Sequence, residues 1–316
     1  CMYGTEIENS KDCVDNTMID ECEQSYGNVN CQKCYKAFFS TDCSESSDVW
    51  FGHNLVGCNN CFGCVGLRHK SYYIFNQPYS REAYEEKVQK LFSGNFSDIA
   101  SVELKVREIY LKTPHRYVHV RQNLNSSGEY IYHCKDVNNS YIATEAQNCK
   151  YCMLLIVPGT KDCWDYTEYG NKVELVYETI TAGNNVSQVK FSNMISTNSI
   201  NIEYSISCKD SHNLFACSGL KNKSYCIFNK QYSKEEYEEM IQKIKKHMDE
   251  VPYFDKKGAI YKYGEFFPSD IALYAYNKTS AQEFFPLDRD TAQSLGFAWE
   301  ETDNKNYITT ITAEEI

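Results

Sequence analysis

The first 64 residues carry no helical period of apolar positions. Stretches such as Asp12–Cys34, DCVDNTMIDECEQSYGNVNCQKC, set short β-prone pieces between Asn, Asp, Gly and Ser, the residues of tight corners. Cysteine supplies the regularity. Cys1, Cys13, Cys22, Cys31, Cys34, Cys43, Cys58, Cys61 and Cys64 are separated only by multiples of three, several of them nine. Cys208, Cys217 and Cys226 are again nine apart, and the phase slips once, between Cys152 and Cys163. A solenoid stacks equivalent side chains above one another, so a small, readily buried residue recurs at the turn length. The spacing therefore predicts a mainly β chain of two tandem β-solenoid (β-helix-like) lobes with about 18 residues per turn. Cys13, Cys22, Cys31, Cys43, Cys61, Cys64, Cys208, Cys217 and Cys226 are its structural rungs. Val189–Cys208, alternating Ile with Ser and Asn, reads as further solenoid whose rungs use other residues.

Two lobes are expected because one stretch occurs twice. FGCVGLRHKSYYIFNQPYSREAYEEKVQK, Phe62–Lys90, returns 153 residues later as FACSGLKNKSYCIFNKQYSKEEYEEMIQK, Phe215–Lys243, with 18 of 29 positions identical. YYIFN and YCIFN read as last strands. Ser80 and Ser233 then start helices, Ser233 with Glu236 as a capping box. Tyr84, Val88 and Leu91 recur as Tyr237, Ile241 and Ile244, the stripe of a helix that closes the open end of its stack. Ile99, Val102, Val106 and Ile109 predict a second helix before Pro114. The division expected is a first lobe over 1–79, a helical cap and connector over 80–115, and a second lobe over 116–232. A cap helix over 233–250 and an aromatic, extended tail over 251–316 follow. Within the tail Asp288 caps a short helix ended by Gly296, and Glu300, Glu301, Asp303, Glu314 and Glu315 crowd the terminus.

Composition narrows the classes. A net charge of -11 argues against a nucleic-acid backbone as partner, and no run of 18 apolar residues exists to span a membrane. The chain opens on Cys1 without a signal peptide and reads as a piece of a longer protein. If its 16 cysteines are buried free thiols, the setting is a reducing cytoplasm; blocked thiols would point to the cell surface.

The motifs CNNCFGCVGLRHKSYYIFNQPYSREAYEE and its second copy, followed by YGEFFP, YNKTSAQEFFPL and GFAW, make the chain similar to a known group. It resembles an uncharacterised bacterial Cys/Asn/Tyr-rich family with NC-x-x-C repeats, over nearly its whole length. The resemblance implies Cys-pair, zinc-ribbon-like segments outside this region. Some members bear a CaiB/BaiF-type CoA-transferase label, which implies a catalytic Asp in a different α/β fold. No motif of that kind stands in this chain.

The chemical candidates are few. Cys31/Cys34, Cys58/Cys61/Cys64 and Cys149/Cys152 have the spacing of half a tetrahedral zinc site, but they also belong to the multiple-of-three ladder, which needs no metal. Packing is the primary expectation, with no cofactor, and zinc the alternative. His133 beside Cys134 forms a nucleophile pair without an oxyanion site. Asp162, Asp165 and Glu168 lie among Trp164, Tyr166 and Tyr169, the residue types that grip and cleave a sugar chain. The leading expectation is a non-enzymatic structural or interaction scaffold presenting a Tyr/Asn-rich surface to a protein or larger assembly. A carbohydrate-binding or carbohydrate-cleaving protein at the cell surface is the runner-up, and a zinc-dependent module the third reading.

Overall fold

The computed structural model describes residues 1–301, the side chains of Thr5 and Phe96 excepted. Asp303, Glu314 and Glu315 lie outside the described residues. The chain is mainly β, and its described residues divide into units over 1–117 and 118–301.

In the first unit, four-residue strands pair in parallel at a constant offset. Thr5 aligns with Thr17 and Thr17 with Val29, while Ser47 aligns with Asn59 and Asn59 with Ser71. Each turn is therefore 12 residues long, and the expected 18 is corrected. The reason lies in the corner. A left-handed φ recurs every third residue, at Asp12, Asp15, Met18, Glu21, Gln24 and onward, and the residue after each one points inward. One corner every three residues makes four inward positions per 12-residue turn. Any cysteine spacing divisible by three satisfies that rule, so gaps of nine and 18 reveal the corner step but not the turn length. Left-handed φ costs a non-glycine residue on the order of 1–2 kcal/mol. That cost explains the Asn, Asp and Gly at corners, although Phe39 and Phe51 also sit there with φ near 51° and 52°.

Four inward columns follow from the register. One runs Cys13, Ser25, Ala37, Val49, Cys61, and another Ile19, Cys31, Cys43, Leu55. Cys22 is followed one turn on by Cys34, then Ser46 and Cys58, while Asn16 is followed by Asn28, Ser40 and Gly52. The last column solves a polar problem inside the coil. Asn28 N–H donates to Asn16 Oδ1 at 2.9 Å, Ser40 N–H to Asn28 Oδ1 at 2.8 Å, and Gly52 N–H to Ser40 Oγ at 3.0 Å. Each buried side chain thus satisfies an amide of the next turn.

The second unit uses the same three-residue corners with a variable turn. Its offsets are 11 from Val120 to Ile131, 14 from Lys150 to Trp164, 13 from Val173 to Val186, and 12 from Ile200 to His212. The 14-residue turn, carrying Pro158 and Gly159, is the slip seen between Cys152 and Cys163. The 13-residue turns place two left-handed residues in succession at one corner, Asn171–Lys172, Asn184–Asn185 and Thr197–Asn198. Their side chains bond along the stack, Asn185 Nδ2 to Asn198 Oδ1 at 2.8 Å.

Each stack ends where the duplicated stretch begins its helix. Ser71–Ile74 and Ser224–Ile227 are the last parallel strands, and each turns back into a two-residue antiparallel strand, Gln77–Pro78 and Lys230–Gln231. Helix α1 (Arg81–Leu91) starts at Ser80, whose side chain accepts from Ala83 N–H at 3.3 Å. Helix α2 (Phe96–Lys112) follows, and both lay apolar side chains on Phe51, Phe62 and Ile74. Helix α3 (Lys234–Glu250) starts at Ser233 with a complete capping box and packs Tyr237 and Ile241 on Phe191, Tyr204 and Phe215. The tail is more structured than an extended segment. It holds a hairpin of Tyr253–Phe254 with Ile260–Tyr261 and two short helices, α4 (Ser280–Phe284) and α5 (Arg289–Ser294). Asp288 caps α5, accepting from Thr291 N–H at 2.7 Å.

Candidate functional site

The cysteines are the first candidates. All 16 are free, and all but Cys1 are buried. Their thiols point into the coil and donate to corner carbonyls. Cys13 Sγ reaches the oxygen of Lys11 at 3.2 Å and that of Cys22 at 3.5 Å; Cys217 Sγ reaches those of Phe215 and Cys226 at 3.3 and 3.4 Å. A side chain that is small, apolar and a weak donor suits a corner that leaves carbonyls inside. In the second unit the thiols of Cys152 and Cys163 lie beside that of Cys149. Cys149 is pulled down by accepting from the other two, while donating to it and burial push Cys152 and Cys163 up. Hydrogen bonding with Cys61, then burial, likewise pushes the Cys58 thiol up. Among the described residues no group of three or more His, Cys, Asp or Glu side chains is arranged to hold a metal ion. Cys31, Cys34, Cys58, Cys61, Cys64, Cys149 and Cys152 all lie in the inward columns. His133 and Cys134 face opposite ways, the ring outward and the thiol into the core.

Asp162, Asp165 and Glu168 occupy three successive left-handed corners, with φ of 53°, 50° and 74°. Asp162 accepts from Asn148 Nδ2 at 2.6 Å, and Glu168 accepts from Thr181 Oγ1 at 3.0 Å. Tyr166, one of the aromatics between them, is fully buried and donates its hydroxyl to Ala182 O. The carboxylate that does come near this trio is Glu178. Trp164 aligns with Tyr177 and Tyr166 with Thr179, which sets Asp165 over Glu178 in the next turn. Burial above all, then the charges of Glu265 and Asp165, raise the Glu178 carboxyl above its ordinary value; a hydrogen bond from Tyr177 works the other way. Its Oε2 is buried without a partner. Sequence reasoning missed Glu178 because a 13-residue spacing means nothing until the turn length is known.

The outward face of the second unit shows a feature with no counterpart in the sequence motifs. Tyr141, Met153, Thr167, Ile180, Asn193 and Ile206 align one above another through successive turns. Tyr141 is 55%, Met153 42%, Ile180 44% and Ile206 37% exposed, so four large apolar side chains stand in solvent along one column. The offsets between them, 12, 14, 13, 13 and 13, follow the turn lengths and leave no fixed period to find.

No protein-family model matches the chain, and no curated protein matches it. Among solved structures it is similar to one assigned as an acetyltransferase from Desulfovibrio desulfuricans G20, with 11% identity and a TM-score of 0.14. That match covers 67% of this chain, which spans 60% of that structure's length. A UDP-N-acetylglucosamine acyltransferase from Campylobacter jejuni matches with 10% identity over 77% of this chain and 81% of its own, at a TM-score of 0.10. Superpositions this poor carry neither fold nor activity across.

Proposed function

We propose that the protein is a non-enzymatic interaction scaffold whose stacked turns present a rigid face to a macromolecular partner. The observation that carries this reading is the outward column of Tyr141, Met153, Ile180 and Ile206. In a monomer, large apolar side chains are normally scattered singly over the surface; here four of six positions in one column are large and apolar, with Thr167 and Asn193 between them, and such a concentration marks a contact site. Parallel strands hold successive positions of the column about 4.8 Å apart, so the face is rigid. The interior supports the reading in another way, since it is filled by side chains and leaves the faces as the working surface. The free thiols support a reducing, cytoplasmic setting. Among the described residues no helix is long and apolar enough to cross a membrane.

The test replaces Met153 and Ile180 together with Asp and compares proteins retained by the native and variant chains. A partner held by the first and lost by the second, at unchanged melting temperature, supports the scaffold. An identical retained set in both sinks the assignment of this face.

A second reading, a carbohydrate-binding or carbohydrate-cleaving β-helix protein, draws on the Asp165/Glu178 pair. A carboxyl raised by burial beside a second carboxyl, next to the half-exposed Trp164, is an arrangement used in acid-assisted glycosidic cleavage. Release of reducing sugar from a polysaccharide panel, abolished in Glu178→Gln, would establish it; no release from any member would dismiss the cleaving form.

A further inference from the structure

A second apolar surface lies elsewhere in the second unit. A cleft of about 460 Å3 opens between the aromatic face of the stack, helix α3 and the tail. Phe215 and Tyr204 form its floor, Met248 its helix side, Phe267 and Tyr253 its tail side, and Phe228 its rim. The volume falls within the ordinary range of small-molecule sites, roughly 300–1,000 Å3. Its one polar floor group is already used: Tyr204 hydroxyl accepts from Gly264 N–H and donates to Glu265 O, both at 3.0 Å. Phe228 is 71% exposed, and Val251, Tyr253 and Ile271 at the same cleft are likewise exposed.

The duplication shows that this exposure is not intrinsic to the repeat. Phe75 is the equivalent of Phe228 in the first copy. There α2 covers it: Lys105 Nζ lies 4.1 Å from the Phe75 ring centroid, and the ring packs in the cluster with Val102 and Val106. In the second unit the tail raises a wall beside the corresponding face and leaves a three-sided cleft in front of it. A three-sided cleft of this size suits a compact ligand rather than a helix. The rim carries His247, Lys262 and Glu265, which form no ion pair among the described residues. Charges of both signs there favour neither an anion nor a cation.

From this geometry we infer that the second unit binds a neutral, largely apolar small molecule, with an aromatic or branched hydrocarbon body, between α3 and the tail. Binding would bury the Phe228 and Tyr253 rings, and Met248 would adapt its unbranched side chain to the ligand.

The test uses the full chain and the neutral fluorophore N-phenyl-1-naphthylamine. Saturable enhancement at one probe per chain is expected, with a dissociation constant on the order of 10 µM. Ala216→Phe and Met248→Trp, which fill the cleft from the stack and from the helix, should each weaken it at least ~10-fold. Ala216 occupies a left-handed corner with φ of 51°, and Phe39 at the same φ shows that such a corner accepts a bulky ring. Leu104→Asp, at an exposed position of α2 in the first unit, should leave binding unchanged. The sulfonated analogue anilinonaphthalene sulfonate should bind more weakly than the neutral probe. Absence of saturable binding, binding that survives in both filling variants, or tighter binding of the sulfonate would each overturn the inference.

Discussion

At the residue scale, the inward corner position decides most of what this chain can contain. Such a position is small and faces carbonyls of its own turn and the next, and Cys, Ser and Asn occupy it repeatedly. This is why cysteine could be read as structural from spacing alone. All but Cys1 are buried, so a thiol reagent such as dithionitrobenzoate should titrate one thiol per native chain and 16 after denaturation. A count of several fast thiols in native protein would contradict the interior placement. Glu178 gives a pH-dependent prediction. Its carboxyl is raised in the folded protein, so the stability it contributes is complete below the unfolded value near 4.5 and is lost as pH rises through the folded value. Above the unfolded value, holding this carboxyl in its buried place therefore costs stability, and Glu178→Gln should raise the melting temperature at pH 7. The gain should vanish on acidification to pH 4, where the carboxyl is protonated in both states. A variant equally stabilised at pH 4 and pH 7 would show that charge is not the cause.

Among elements, the helices were the most legible and the turn length the least. The stripes Tyr84/Val88 and Tyr237/Ile241 and the Ser80 and Ser233 caps specify α1 and α3 from sequence, because a helix period and a cap are local signals. Turn length is not local. It is set by which residues pair across turns, and a three-residue corner step makes multiples of nine and 12 look alike in a cysteine ladder. The outward column of Tyr141, Met153 and Ile180 and the Asp165/Glu178 pair stayed hidden for the same reason. Caps and ladders should also differ in cost. Ser233→Ala removes an exposed capping box and should cost about 1 kcal/mol. Asn28→Ala orphans the buried Ser40 N–H, which donates to no other acceptor among the described residues, and should cost about 1–3 kcal/mol. Equal melting temperatures for the two variants would argue against the internal ladder.

For the whole molecule, the distribution of core residues matters more than the length of the chain. Two apolar clusters draw only on residues between Ile7 and Tyr110, and two only on residues between Ile131 and Phe267. Stacked repeats gain stability chiefly from their nearest neighbours, so damage should spread along the stack in which it occurs. Val49 is fully buried in the column between Ala37 and Cys61, where an aspartate would place an unpaired charge among apolar and thiol groups. Val49→Asp should therefore abolish hydrogen-exchange protection throughout the strands of the first unit. Protection of Val173–Gly183 and Val186–Ser196, the longest strands of the second unit, should persist, because no residue of their cluster comes from the first. The fluorophore that reads the apolar cleft should still bind such a variant, since its lining belongs to the second unit alone. Loss of protection in both sets of strands together would mean that the duplicated lobes fold as one cooperative body, and that their separate cores do not mark separate units of stability.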